Sequence, residues 1–172
     1  MALRDTLEAV LREYDSAKLT TFADNPLAAF IRKEAVLDLE RAAGPAAAGL
    51  LFAGSAGEEN WADVPWLAAF DPVVTDSATR GYYVVYLFHI SEPIVHLSLN
   101  QGTTVVREEF GAAARQVLSE RAAFVRDRLP DFVLRLPATQ IALGSTARLP
   151  GDYAAGHALG ITYSLDNLPR EQ

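Results

Sequence analysis

The chain has 172 residues, half of them apolar, with no cysteine and a formal net charge of −7. This suffices for one domain with a sizeable core, and it excludes disulfides, thiolate zinc sites and, with no run near about eighteen apolar residues, a membrane-spanning helix. The acidic balance counts against non-specific attachment to a phosphate backbone, which draws its affinity from basic side chains.

The first residues, M-A-L-R-D-T-L-E-A-V-L-R-E-Y, are mixed in charge and lack the apolar centre of a signal peptide, so a cytoplasmic location is expected. Leu3, Leu7, Val10, Leu11 and Tyr14 recur at helical spacing and predict an amphipathic helix over 2–15. Asp24 and Asn25 can cap a second helix, Pro26 suits its first turn, and the pattern continues over 26–43 to Gly44-Pro45. Residues 48–53 read as a strand and 54–60 as a loop of small residues. Val64 to Phe70 reads as a short buried strand, followed by a loop from Asp71-Pro72 to Gly81. Tyr82 to Phe88, dense in aromatic and β-branched residues, is the strongest strand signal. Ser91-Glu92-Pro93 reads as a turn, and Ile94 to Leu99 as an antiparallel partner ended by Asn100-Gln101-Gly102. Residues 64–99 are therefore expected to form a three-stranded meander.

Thr103 or Thr104 can cap the next helix, expected over 105–129 and ended by Pro130. Phe132 to Leu136 and Thr139 to Leu143 read as strands, 144–151 as a polar turn and 157–164 as a last strand. The sum is a mixed α+β domain over 1–172: a central, mainly antiparallel sheet with helices packed largely on one side.

Motifs for chemistry are scarce. The sequence has no G-x-x-x-x-G-K-[ST], no G-x-G-x-x-G and no G-x-S-x-G. Neither Lys18 nor Lys33 has an acidic residue two positions before it, so a restriction-nuclease centre is not expected. His89 and His96 can approach across the hairpin, but strand histidines are commonly ordinary core or surface residues, and no metal and no cofactor are expected. Lys18 and Lys33 are the only lysines; the remaining basic side chains are arginines, among them Arg80, Arg107, Arg115, Arg121, Arg126, Arg128, Arg135 and Arg148. Arginine suits bidentate recognition of phosphate and base edges, although a general arginine bias gives the same count.

Both tryptophans and a run of other aromatics fall between Trp61 and Phe88. The segments V-P-W-L-A-A-F-D, G-Y-Y-V-V-Y-L-F and L-S-L-N-Q-G-T-T, with the later L-G-S and Y-A-A-G-H-A-L-G-I-T-Y-S-L-D-N-L-P, resemble the N-terminal DNA-binding domain of the methylcytosine-dependent restriction protein McrB and its bacterial relatives. The resemblance covers about 50 to 169. It implies a mixed α/β domain that binds duplex DNA carrying a modified base by turning that base into a pocket. It further implies that the domain is the N-terminal reader of a longer restriction protein, whose nuclease or GTP-driven motor is separate. By this match Trp66 is the pocket tryptophan, Leu87 the apolar residue at the modified edge and Tyr153 a second aromatic wall, with Tyr83 on Leu87's face. Ser55, Asn60, Trp61, Arg80, Gln101 and Thr103 become the candidate DNA contacts in loops. The methylcytosine reader carries an aromatic in the loop that enters the duplex; this chain has none between Ser55 and Asn60, and Trp61 lies just beyond. Two rival readings stay open from the residues alone: an interaction or oligomerisation module of a defence protein, favoured by the acidic charge, and a hydrolase using His89 or His96.

Overall fold

The computed structural model describes residues 1–170. Its five strands are β1 (Leu51–Ser55), β2 (Trp66–Phe70), β3 (Tyr82–Phe88), β4 (Ile94–Gln101) and β5 (Leu159–Ser164). They lie side by side in chain order, every neighbouring pair antiparallel. The expected meander is thus the centre of a longer one, with β1 and β5 added at its edges. The mixed α+β class follows directly.

Side chains alternate across a strand, so the sequence of each strand is shared between two faces. On one face Leu67, Tyr86, Phe88 and Val95 meet three N-terminal helices: α1 (Leu3–Ala17), α2 (Pro26–Arg32) and α3 (Glu34–Ala43). These helices contribute Leu7, Val10, Ile31 and Ala35, all fully buried. The Asn25 side chain accepts a hydrogen bond from Leu27 N–H at 2.9 Å and Pro26 opens α2, as the sequence predicts. The expected single helix over 26–43 is instead broken at Lys33 (φ −122°, ψ −76°). The break lies beside the crossing of β1, where a Cβ on Gly54 would stand 2.4 Å from the Ile31 carbonyl oxygen. Only glycine permits that approach.

The C-terminal half departs further from expectation. The helix expected over 105–129 is two: α4 (Thr104–Phe110) and α5 (Ala114–Asp127). Gly111 at φ +53° ends the first, the usual role of a left-handed glycine after a helix. Pro130 ends no helix but opens α6 (Pro130–Arg135), so the expected strand 132–136 is helical. Residues 139–143 are irregular, not a strand, and the expected turn at 144–151 contains the start of α7 (Arg148–Gly156). β4 continues through Asn100 and Gln101, which the sequence reading placed after its end.

α1–α3 cover one face of the sheet. On the other face α7 and the irregular segment 137–147 lie across the sheet, where Tyr153 and Leu143 pack on Ala68, Tyr83, Val85 and Leu87. A buried carboxylate sets α7 in place. Asp152, 2 % exposed, accepts from Arg107 of α4 (Nη2 at 2.6 Å, Nε at 3.1 Å) and from Arg115 Nε of α5 at 3.2 Å. Among the described residues no helix is long and apolar enough to cross a membrane.

Candidate functional site

The antiparallel register places Ser55, Trp66, Leu87, His96 and Thr162 in one row across all five strands. Residues directly opposite one another share a face, so Trp66 stands beside Leu87 on the side that faces α7. The neighbouring row on that face is Ala53, Ala68, Val85, Ser98 and Gly160. The small residues of this second row leave space above the sheet, and larger side chains from elsewhere fill it. Tyr153 from α7, Leu143 from the irregular segment and Val64 from the loop before β2 form one cluster with Tyr83, Leu87 and partly exposed Trp66. Leu87 and Leu143 are each 1 % exposed and Tyr153 8 %. Ala53, Trp66, Ala78, Ile90 and Ile141 are the partly exposed members of this apolar site, and Trp66 is the aromatic among them.

Polar bonds position the parts. Tyr83 Oη donates to the Ala78 carbonyl at 3.0 Å, which aligns its ring along the cluster wall. Asn100 Nδ2 donates to the Tyr153 carbonyl at 3.0 Å, and Gln101 Nε2 to Leu118 and Gly156 carbonyls at 2.9 and 3.3 Å. Burial pushes the Tyr153 phenol up to about 12. Burial, then the neighbouring Tyr153, raises Tyr83 as well. Both phenols are hydrogen-bonding groups and not anions at neutral pH.

Residues 137–147 lack regular structure, and side chains far away in sequence hold them by their carbonyls. His157 Nε2 meets Ala138 O at 2.7 Å and His96 Nε2 meets Ala142 O at 2.9 Å. A carbonyl only accepts, so each Nε2 carries the proton and each Nδ1 accepts, from the Ser98 hydroxyl at 2.7 Å and the Thr162 hydroxyl at 2.9 Å. Arg126 Nη2 donates to Thr139 O at 3.1 Å, and the Ile90 N–H to Leu143 O at 3.1 Å. The segment is a strap across the cluster, with Leu143 as its plug.

Burial pushes the His157 imidazole down to about 4, with His96 and Arg126 adding to it and the Ala138 carbonyl opposing. Burial, then His89, also lowers His96 against the pull of the Ala142 carbonyl. A free imidazole titrates near 6.5. Above that pH both folded and unfolded chains are neutral at His157 and its contribution to stability is complete. As the pH falls from 6.5 towards 4 the unfolded chain takes up the proton first and stability is lost. Urea unfolding at about pH 7.5 and about pH 4.5 is expected to differ by about 3 kcal/mol from this residue. Equal stability at the two pH values would contradict the neutral, strap-holding histidines.

The structure thus brings Trp66, Leu87, Tyr83 and Tyr153 together, and it separates the six expected DNA contacts between the two ends of the sheet. Ser55, Asn60 and Trp61 lie at the Trp66 end. Ser55 Oγ accepts from Gly57 N–H at 3.1 Å and shapes the loop, and Asn60 is exposed. The Trp61 ring belongs to the fold: its indole N–H donates to Thr20 O at 2.9 Å, and it packs edge-on to Tyr14 and Phe22 at 5.3 and 5.2 Å. Exposed Glu58, Glu59 and Asp63 make this end acidic. Arg80, Gln101 and Thr103 lie at the opposite end. Arg80 is exposed and paired with Asp76 at 3.3 Å, Gln101 is a buried staple, and Thr103 is 3 % exposed beside a small cavity.

Sequence reasoning missed Leu143, His96 and His157 as parts of the site. The apolar alternation of 139–143 was a visible signal but pointed to a strand. Ser98 and His157 have the spacing of a nucleophile and base, yet both are enclosed (0 and 2 % exposed) and Asn100 Nδ2 also donates to Ser98 at 3.0 Å. That arrangement fixes structure. His89 Nδ1 accepts from the Ser91 and Glu92 amides at 3.3 and 3.0 Å and so shapes the β3–β4 turn. Among the described residues no group of three or more His, Asp or Glu is placed to hold a metal.

The family described as MrcB-like, N-terminal domain matches residues 9–172, and no curated protein or solved structure matches the chain. The chain belongs to this family of McrB-like DNA-recognition domains of restriction proteins.

Proposed function

We propose that this family member binds duplex DNA carrying a modified base, such as a methylated or hydroxymethylated cytosine, and that it holds that base outside the helix against Trp66. It acts in the cytoplasm as the recognition domain of a longer, modification-dependent restriction protein, without chemistry of its own, and a nuclease or motor in cis or trans does the cutting. One observation carries the reading: Trp66 is the partly exposed aromatic of a cluster whose other rings, Phe70, Tyr83 and Tyr153, are buried, with buried Leu87 beside it. Extruding a base costs a few kcal/mol of stacking and pairing. Stacking on an aromatic ring returns about 1–3 kcal/mol. Leu143 fills the space behind Trp66, so a ring that enters there displaces the strap.

The net charge of −7 shapes the expected behaviour. Phosphate contacts contribute little, and the modified base contributes most of the affinity. Duplexes with a single methylcytosine, hydroxymethylcytosine, glucosylated hydroxymethylcytosine or methyladenine, measured by fluorescence anisotropy against the unmodified duplex, are expected to include at least one that binds tenfold or more tightly (about 1.4 kcal/mol). Equal affinity across the set at low salt would end the reading.

A second reading has its own observation. An apolar groove of about 520 Å³ lies on the α3 side of the sheet, with Leu39, Phe52, Tyr82 and Leu99 in its walls and Val84, 44 % exposed, in its floor. That surface suits an interaction module of a defence protein. Tight binding of a partner domain, together with indifference to every duplex, would favour it.

A further inference from the structure

We infer a second binding site, for a single phosphate group, in the cavity between the start of α4 and the first turn of α7. The cavity measures about 120 Å³ and is lined by Thr103, Thr104, Arg107, Glu108, Arg148, Leu149 and Asp152. A water occupies about 30 Å³ of liquid, so the space holds the oxygens of one phosphate and little else.

Two independent features mark it as an anion site. The first is the helix end. Ala147 at the N-cap of α7 supplies no capping side chain, so the N–H groups of Arg148 and Leu149 are left without that acceptor, and Pro150 has no N–H to compete. The positive end of a helix dipole favours an anion at this position. The second is Thr103. The residue is 3 % exposed and its hydroxyl has no hydrogen-bond partner among the described residues. No enclosed side-chain oxygen or nitrogen is left unpaired among those residues, so this hydroxyl keeps an open side, and the cavity is what it lines. One cation stands at the rim. Asp152 is saturated by Arg107 and Arg115, whereas exposed Arg148 forms no ion pair among the described residues. Glu108 opposes an anion, and the lining itself balances two guanidiniums, Arg107 and Arg148, against two carboxylates, Glu108 and Asp152.

A backbone phosphodiester is the ligand that fits the proposed function. The site lies at the sheet end opposite Trp66, at the start of the helix that carries Tyr153. The inference rests on the DNA reading for this source of phosphate, and inorganic phosphate tests the site without it.

The experiment uses the full chain and two single substitutions, Arg148→Ala, which removes the cation, and Thr103→Val, which removes the hydroxyl at nearly constant shape. Amide shifts followed by NMR during titration with inorganic phosphate are expected to move saturably at Thr103, Arg148 and Leu149 and to lose that response in both variants. For DNA, each variant is expected to weaken modified and unmodified duplexes by the same factor and to lower the slope of log affinity against log salt, for Arg148→Ala by about one. The preference for the modified base stays as it was, which separates this site from the one at Trp66. Saturable phosphate shifts with no DNA binding would support the site and overturn the DNA source. No shifts at these amides, with unchanged duplex affinity in both variants, would overturn the site even if modified DNA binds. Loss of the modified-base preference in either variant would also overturn it.

Discussion

Trp66→Ala is expected to lower affinity for the preferred modified duplex by about tenfold to a hundredfold and to leave binding of the unmodified duplex nearly unchanged. The size follows from the loss of about 1–3 kcal/mol of base–aromatic stacking. The asymmetry follows because only an extruded base reaches the ring. Trp66→Phe keeps a stacking face and is expected to retain most of the preference. Trp66 also packs in the cluster of Tyr153 and Leu87, so unfolding curves of both variants belong beside the binding data. A folded Trp66→Ala protein that still prefers modified DNA would remove this ring from the site.

Asp152→Ala is expected to destabilise the domain by about 3–5 kcal/mol, the range for removing one member of a buried ionic cluster. The carboxylate is 2 % exposed and receives bonds from Arg107 and Arg115, so one residue joins α4, α5 and α7. Its loss leaves two arginines facing each other with no anion between them. Arg115 also donates to the carbonyls of Thr146, Ala147 and Arg148, so the end of the strap loosens as well. Urea unfolding measures the change. A loss below about 1 kcal/mol would mean that the cluster behaves as an exposed ion pair.

The sheet was legible where strands carry their own signal. Tyr82 to Phe88 combines aromatic and β-branched residues, and its alternation correctly divides Tyr83 and Leu87 from Tyr86. The pairing of Trp66 with Leu87 is a matter of register, which the strand signals leave open and the structure supplies. The C-terminal half was not legible for equally physical reasons. V-L-R-L at 133–136 satisfies a strand pattern and one helical turn alike, and Pro130 decides between them by opening a helix. Gly111 divides a continuous apolar stripe through its backbone angle. The strap 137–147 alternates like a strand at 139–143 but is irregular, because His96, His157 and Arg126 hold its carbonyls from 13 to 46 residues away. Tyr153 entered the site through family resemblance alone, and its place on a helix was not foreseen. Trp61 illustrates the converse: its position beside a loop said nothing of Tyr14 and Phe22, which claim its ring.

The central claim is that a base leaves the duplex to meet Trp66. The most direct measurement compares affinity for one modified base opposite its normal partner and opposite an abasic site. Removing the partner lowers the cost of extrusion, so tighter binding to the unpaired context by about tenfold is predicted, with the gain lost in Trp66→Ala. Equal affinity in the two contexts would contradict base extrusion and leave the modified base read within the groove.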